Sequence, residues 1–173
     1  MENSEEKKSE IEKAGEDLFE FAIDREDVKW LMAHLSGAAD VKRNTVEYEL
    51  QILKIVSVGW SISYHLENSP CKKGLSELYW MAIHEFSRNL SETTELLAGC
   101  DIDYFQILRE RLDTYVKAMS EKPEGTEPVA AIGPEFAKTC GNADDIFVQM
   151  TGSKMFASVI ANVRRYLVET KMI

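Results

Sequence analysis

The sequence lacks the short motifs that hold catalytic or metal-binding groups at a fixed spacing. It contains no GxSxG turn, no glycine-rich phosphate loop and no HExxH pair. No glutamate stands three residues before His34, His65 or His84, so the Glu-x-x-His ligands of di-iron bundles are excluded. We therefore expect no metal, no cofactor and no catalytic residues. Convergence of the three histidines on zinc stays open as a secondary alternative.

Cysteine is scarce, and the three cysteines, Cys71, Cys100 and Cys140, lack CxxC spacing. An odd set of this kind fits free thiols in a reducing compartment better than a disulfide framework. The first residues are charged and contain no apolar segment such as a secretory signal requires. The most apolar stretch, 51–66, is interrupted by a lysine and by serines, so we expect no transmembrane helix. These absences favour a cytoplasmic location.

Positive charge is also in short supply, because 20 lysines and arginines stand against 30 acidic residues and give a net charge of -10. Residues 1–27 carry -7 of that charge. Binding to a phosphate backbone depends on lysines and arginines that displace condensed counterions. The composition therefore argues against nucleic acid and against a membrane surface as partners.

Helical periodicity is present along almost the whole chain, whereas the alternation typical of strands is missing. The pattern predicts a single all-α domain over residues 1–173, in which four long helices form an up-down bundle and an N-terminal helical pair packs over it. Residues 1–10 are expected to fray, and the Pro/Gly-rich segment 122–134 is expected to be a long loop. The predicted helices span 4–23, 25–36, 46–66, 70–98, 102–121 and 142–171, the last with a kink or a break near Thr151-Gly152-Ser153.

The helix predicted over 46–66 is apolar on two faces, which is typical of a helix buried between neighbours. A narrow polar strip containing Glu47, Gln51, Lys54, Ser61 and His65 separates these faces. Small residues along the helix leave room beside Trp60 and Tyr64 for an internal ligand, although such residues also let helices approach closely. The candidate ligand-binding residues are Glu47, Lys54, Trp60, Ser61, Tyr64 and His65.

Two tryptophan and histidine pairs, Trp30 with His34 and Trp80 with His84, stand four residues apart and share a helix face. Both pairs are displaced from the apolar stripe of their own helix. Tryptophan is enriched in protein interfaces, so these residues are candidates for the interface of a homodimer or with another protein partner. The structural alternative is that the N-terminal pair of helices buries both rings inside the monomer.

Cys71 is predicted in the first turn of a helix, beside Lys72 and Lys73. A helix N-terminus and neighbouring cations both favour the thiolate, which makes Cys71 the one candidate for a reactive thiol. No histidine and no second cysteine lie near it in sequence, and an incidental thiol is the alternative.

The functional prediction is a non-catalytic cytoplasmic protein that acts in protein interaction or regulation and forms a homodimer. The alternative is a sensor bundle that binds a small molecule or a metal along the polar strip. An enzyme is the least favoured class, and helical bundles host too many functions for the fold to decide.

Overall fold

A computed structural model describes residues 9–36 and 41–173 of the chain. All regular structure in these two ranges is helical, which confirms the predicted all-α class. The segment Ser36-Gly37-Ala38-Ala39-Asp40 predicts a turn between the second and third helices, and its residues 37–40 lie outside the described residues, as does most of the segment 1–10 expected to fray. The helices are α1 Glu10–Ile23, α2 Glu26–His34, α3 Arg43–His65, α4 Lys72–Ala98, α5 Tyr104–Glu121, α6 Pro128–Thr139 and α7 Ile146–Glu169.

Helix α3 is the central element of the fold, as its two apolar faces predict. Leu50, Ile52, Leu53 and Ile55 are completely buried although they point in different directions around the helix. Other helices must therefore cover α3 on several sides, and it packs against α1, α2, α4, α5, α6 and α7.

Helices α1 and α4 lie side by side and run in the same direction. Gly74 of α4 packs near Ile11 early in α1, and the ring of Phe86 lies 6.1 Å from the ring of Phe19 near its end. Helix α4 runs opposite to α3: Phe86 in its second half lines one cavity with Tyr48 near the start of α3, whereas the Tyr79 hydroxyl, earlier in α4, donates to the Ile55 carbonyl in the middle of α3 at 2.7 Å. The α1 and α4 pair thus covers one side of the central helix.

Helix α7 runs in the same direction as α3, which differs from a simple up-down order. The ring of Trp60 lies 5.4 Å from that of Phe156. Further along both helices, Ser69 Oγ donates to the Met172 carbonyl at 3.4 Å. Helix α6, which lies between α5 and α7 in the chain, is an additional helix that the predicted four-helix order did not contain.

The predicted loop over 122–134 was wrong for its second half, because α6 begins at Pro128. Pro128 stands in the first turn of the helix, where the missing N–H costs nothing. Ile132 and Phe136 are fully buried and lie one helical turn apart, so their burial stabilises a helix that also contains Pro134. Proline content alone suggested a loop, and packing decided otherwise.

The break expected near Thr151-Gly152-Ser153 was also wrong, since α7 is continuous from Ile146 to Glu169. Gly152 instead lets α6 approach: a Cβ atom built there would lie 2.5 Å from Cδ1 of Phe136. Gly133 plays the reciprocal role in α6, because its Cβ would lie 2.7 Å from the Gln149 carbonyl oxygen. The two glycines make a close helix crossing instead of a kink.

Helix α4 also corrects the predicted assignment of its faces. Its fully buried residues are Leu75, Tyr79, Ile83 and Ser87. Helical spacing from Phe86 and Leu90 also predicts Leu97 in the apolar stripe of this helix, but Leu97 is 84 % exposed. The last two turns of α4 are exposed along almost their whole length, so apolar periodicity there is not matched by a neighbouring helix.

Candidate functional site

The polar strip of α3 does not form one site. Glu47 and His65 stand at opposite ends of the helix, about 27 Å apart at 1.5 Å per residue. The six candidate ligand-binding residues lie in three places. Glu47 stands near the start of α3 and the buried Lys54 stands in its middle. An aromatic group near the end of α3 contains Trp60, Ser61, Tyr64 and His65. Each part contacts a different neighbour.

Lys54 lies under the corner between α1 and α2, and its side chain is 1 % exposed. Its Nζ donates to the Asp24 carbonyl at 2.9 Å, pairs with Asp27 Oδ2 at 3.1 Å and lies 4.5 Å from the centre of the Phe21 ring. These contacts satisfy the charge of Lys54 and the carbonyl groups at the end of α1. We therefore assign Lys54 a structural role.

The aromatic group near the end of α3 consists of stacked rings. The rings of Trp60 and Tyr64 lie 4.7 Å apart and nearly parallel. Ser61 is fully buried between helices, and its hydroxyl has no hydrogen-bond partner among the described residues. His65 is half-buried, and burial lowers its pKa from the usual value. A wide, open groove runs from Tyr64 and His65 to Met172, and it encloses little apolar surface.

A more enclosed and more apolar cavity of about 370 Å³ lies near the start of α3. We call it the Tyr104 cavity. Its walls come from the end of α1, the first turns of α3, the second half of α4 and the start of α5. The lining residues are Ile23, Arg25, Tyr48, Gln51, Phe86, Leu90, Ser91, Thr94, Ile102 and Tyr104.

Two aromatic contacts shape the cavity around Tyr104. The Tyr104 ring lies 6.3 Å from that of Tyr48 and 6.4 Å from that of Phe86, edge to face in both cases. The Tyr104 N–H donates to Ser91 Oγ at 3.1 Å, which ties the start of α5 to α4. Burial raises the pKa of Tyr104 well above its usual value, so this phenol stays neutral. This part of the wall is therefore aromatic and uncharged.

Polar groups lie at the α1 side of the cavity. Gln51 Nε2 donates to the Ala22 carbonyl at 2.9 Å, so its amide group is held in place. Arg25 Nη2 donates to Glu47 Oε1 at 2.6 Å, and the Arg25 side chain is about half exposed. An apolar pocket with a few fixed polar groups is the usual form of a small-molecule site.

The sequence prediction missed Arg25, Tyr48 and Tyr104. Tyr48 was assigned to an apolar face of α3, and Tyr104 was not assigned to any site. The sequence did contain one signal, a tyrosine within an apolar helix face. The hydroxyl of a buried tyrosine usually needs a hydrogen-bond partner or water, so such a residue can mark a cavity. Which helices meet around these rings is a tertiary property, and the periodicity of one helix does not show it.

The residues predicted as an interface behave in two ways. Trp30 is 58 % exposed, and its ring stacks on His34 at 4.1 Å. Trp80 is half-buried, and a Cβ atom on Gly59 would lie 2.2 Å from its ring. The displacement of Trp80 from the apolar stripe of its helix therefore does not turn its ring away from the core, because Gly59 leaves room for the ring against α3. His84 is exposed and lies 4.8 Å from the Phe105 ring.

Cys71 stands at the start of α4 and is half-buried. Its N–H donates to Ser69 Oγ at 3.2 Å. Cys140 is buried, and that burial raises the pKa of its thiol to about 12, which keeps it protonated and unreactive. Neither thiol is paired in a disulfide.

The sequence prediction also missed a buried ion pair that joins α3 to α5. Glu49 is 4 % exposed and accepts two hydrogen bonds from Arg111, at 2.8 Å from Nη2 and 2.9 Å from Nε. The hydrogen bond to Glu49 raises the pKa of Arg111. This bidentate pair is held inside the fold and is not part of the cavity lining.

Two further observations concern metals and membranes. Within residues 9–36 and 41–173, no three histidine, cysteine, aspartate or glutamate side chains converge to hold a metal ion. None of the helices in the same ranges combines the length and the apolar character needed to cross a membrane.

Comparisons of the chain with protein-family models, with curated proteins and with solved structures found no match.

Proposed function

We propose that this chain is a non-catalytic regulatory protein that binds a small, largely apolar molecule in the Tyr104 cavity. The observation that carries the proposal is the cavity itself, because it combines an enclosed apolar wall with polar groups at one side. Its volume of about 370 Å³ lies at the lower end of the range typical of small-molecule sites. A cytoplasmic location is part of the proposal, supported by three cysteines that are all free.

The proposal modifies the sensor alternative that the sequence suggested. In this proposal the ligand lies near the first turns of α3. It contacts Tyr48 and Gln51, which lie within one helical turn of each other. The groove beside His65 is a weaker candidate, because it is open and presents little apolar surface.

A tryptophan at position 94 is expected to weaken binding in this cavity at least tenfold. Thr94 lines the cavity, whereas its neighbour Thr93 is exposed and does not. Each threonine donates to the carbonyl four residues earlier at 2.8 Å, so the two positions are matched in local structure. Fluorescence titration with the neutral apolar dye N-phenyl-1-naphthylamine would measure the affinity of wild type, Thr94→Trp and Thr93→Trp.

The proposal requires that wild type and Thr93→Trp bind the dye with similar affinity while Thr94→Trp does not. Equal affinity of both variants would show that the dye binds elsewhere. Absence of dye binding to the wild-type protein would also contradict the proposal.

A second candidate function is self-association through α2, which retains the predicted homodimer. The observation that favours it is the exposure of Trp30, because tryptophan anchors are enriched in interfaces. The partner we propose is a second copy of the chain, in a two-fold dimer.

Replacing Trp30 by alanine is expected to shift the protein from dimer to monomer in sedimentation equilibrium at tens of micromolar. Lys29→Ala is the control, since Lys29 is an exposed neighbour on the same helix. A monomeric wild-type protein, or a Trp30→Ala variant that remains dimeric, would exclude this interface.

A further inference from the structure

Arg25 is the one charged side chain among the described residues that line the Tyr104 cavity. The remaining lining residues are apolar, aromatic or neutral polar. A single cation beside an apolar wall favours a ligand that has an apolar body and one negative group. A second charge on such a ligand would find no partner in the lining.

Each carboxylate close to Arg25 has a partner, and for Glu47 that partner is Arg25 itself, at 2.6 Å. Glu26 pairs with Lys29 at 2.8 Å, and Asp27 pairs with the buried Lys54 at 3.1 Å. Asp24 Oδ1 accepts the N–H of Glu26 at 2.6 Å, which stabilises this carboxylate without cancelling its charge. A ligand carboxylate would therefore be held by the directed N–H donors of Arg25 and not by an excess of positive charge at the corner between α1 and α2.

The guanidinium group of Arg25 has capacity for a second anion. Its Nη2 donates to Glu47 Oε1, and a guanidinium carries five N–H donors in a planar fork that fits carboxylates. Arg25 also stands at the beginning of α2, where the helix dipole favours negative charge. The Arg25 side chain is about half exposed, so a ligand can reach it from the cavity without burying an unpaired charge.

The apolar part of the ligand would lie against aromatic rings. Tyr48, Phe86 and Tyr104 line the cavity and form edge-to-face pairs, which give it an aromatic wall for an apolar group. We infer that the ligand of the Tyr104 cavity is a small organic anion, with its apolar body against these rings and its carboxylate on Arg25. This inference rests on the proposed function and assigns the chemical class of the ligand.

The test compares two probes that have the same ring system and differ in charge. 2-Naphthoate and the neutral 2-naphthamide would be titrated as competitors of N-phenyl-1-naphthylamine, with the full chain at physiological salt. Naphthoate is expected to bind the wild-type protein at least tenfold more tightly than naphthamide. Equal affinity of the two probes, or displacement of the dye by neither, would overturn the assignment and leave the dye-binding cavity intact.

Variants at the corner between α1 and α2 identify the residue that makes the difference. Arg25→Gln should abolish the preference for naphthoate, so that the variant binds naphthoate and naphthamide with equal affinity. Lys29→Gln removes the same charge from an exposed position outside the lining and should keep the preference. An equal loss in both variants would show a general charge effect and would overturn the role of Arg25.

A third variant tests the assignment without removing the cation. Glu47→Gln removes the carboxylate that competes for the guanidinium, so naphthoate affinity should rise several-fold while naphthamide affinity stays constant. Unchanged or weaker naphthoate binding in this variant would contradict the inference. Failure of the dye itself to bind the wild-type protein would instead contradict the proposed function.

Discussion

Replacing Arg111 by methionine is expected to lower the free energy of unfolding by about 3 to 5 kcal/mol. The substitution keeps most of the side-chain volume but leaves the Glu49 carboxylate, which is 4 % exposed, without its two hydrogen bonds. A buried charge without a partner is one of the largest single costs in a folded protein. Denaturant unfolding at pH 7 followed by circular dichroism would measure the loss.

Replacing Glu49, the other member of the pair, is expected to lower the free energy of unfolding by less, because the two side chains are buried to different extents. The Arg111 side chain is 27 % exposed and can turn toward water when Glu49 is replaced by glutamine. The exposed Arg109→Met is the control, and a surface change there should stay within about 0.5 kcal/mol.

A loss for Arg111→Met no larger than that for Arg109→Met would contradict this explanation of the ion pair.

Replacing Gly133 by alanine is expected to lower the free energy of unfolding by about 1 to 3 kcal/mol, although alanine is the better helix former. The new Cβ atom would lie 2.7 Å from the Gln149 carbonyl oxygen and 2.3 Å from Ser153 Oγ. The serine side chain can rotate away, whereas the backbone carbonyl of α7 cannot move without separating the two helices. Urea denaturation would compare the midpoints of variant and wild type.

Gly74 offers a matched control for this substitution. It also lies within a helix, and a Cβ atom there would meet its nearest neighbour, Cγ2 of Ile11, at an ordinary 3.8 Å. Gly74→Ala should therefore be neutral or should stabilise the protein by up to about 1 kcal/mol. If Gly133→Ala had the same effect as Gly74→Ala, the close crossing of α6 and α7 would not constrain position 133.

The sequence predicts the central helix well because its apolar residues point in all directions. Val46 and Ile52 differ widely in angle around α3, yet both are completely buried. Such a pattern requires neighbours on several sides, whichever helices provide them. The sequence predicts that Asn142, with Asp145 three residues on, caps the last helix, whereas in the structure Asp145 is itself the N-cap of α7 and accepts hydrogen bonds from Phe147 and Val148.

Prediction fails where a contact between helices outweighs a local preference. Pro128 and Gly133 suggested a loop, but α6 gains more from burying Ile132 and Phe136 than these residues cost. Gly152 suggested a break in α7. In the structure the absence of a side chain at Gly152 instead lets the Phe136 ring pack against α7. In each case the deciding atom belongs to a distant segment, so a single-helix pattern cannot reveal it.

The candidate site follows the same rule. Lys54 and Glu47 belong to one polar strip in the sequence. In the structure Lys54 donates to a backbone carbonyl at the end of α1, whereas Glu47 pairs with Arg25 at the edge of the cavity. Tyr48 gains its significance from Tyr104, which is far away in the chain. The polar strip therefore predicted the helix that carries the site, and the partners of that helix determine where the cavity lies.

The most direct test of the central claim is a map of the backbone amide signals of ¹⁵N-labelled protein during titration with N-phenyl-1-naphthylamine. The claim predicts that the signals of Tyr48, Ser91 and Tyr104 shift together and saturate with one dissociation constant, because all three residues line one cavity. Shifts confined to His65 and Met172, which line the open groove at the other end of α3, would contradict it.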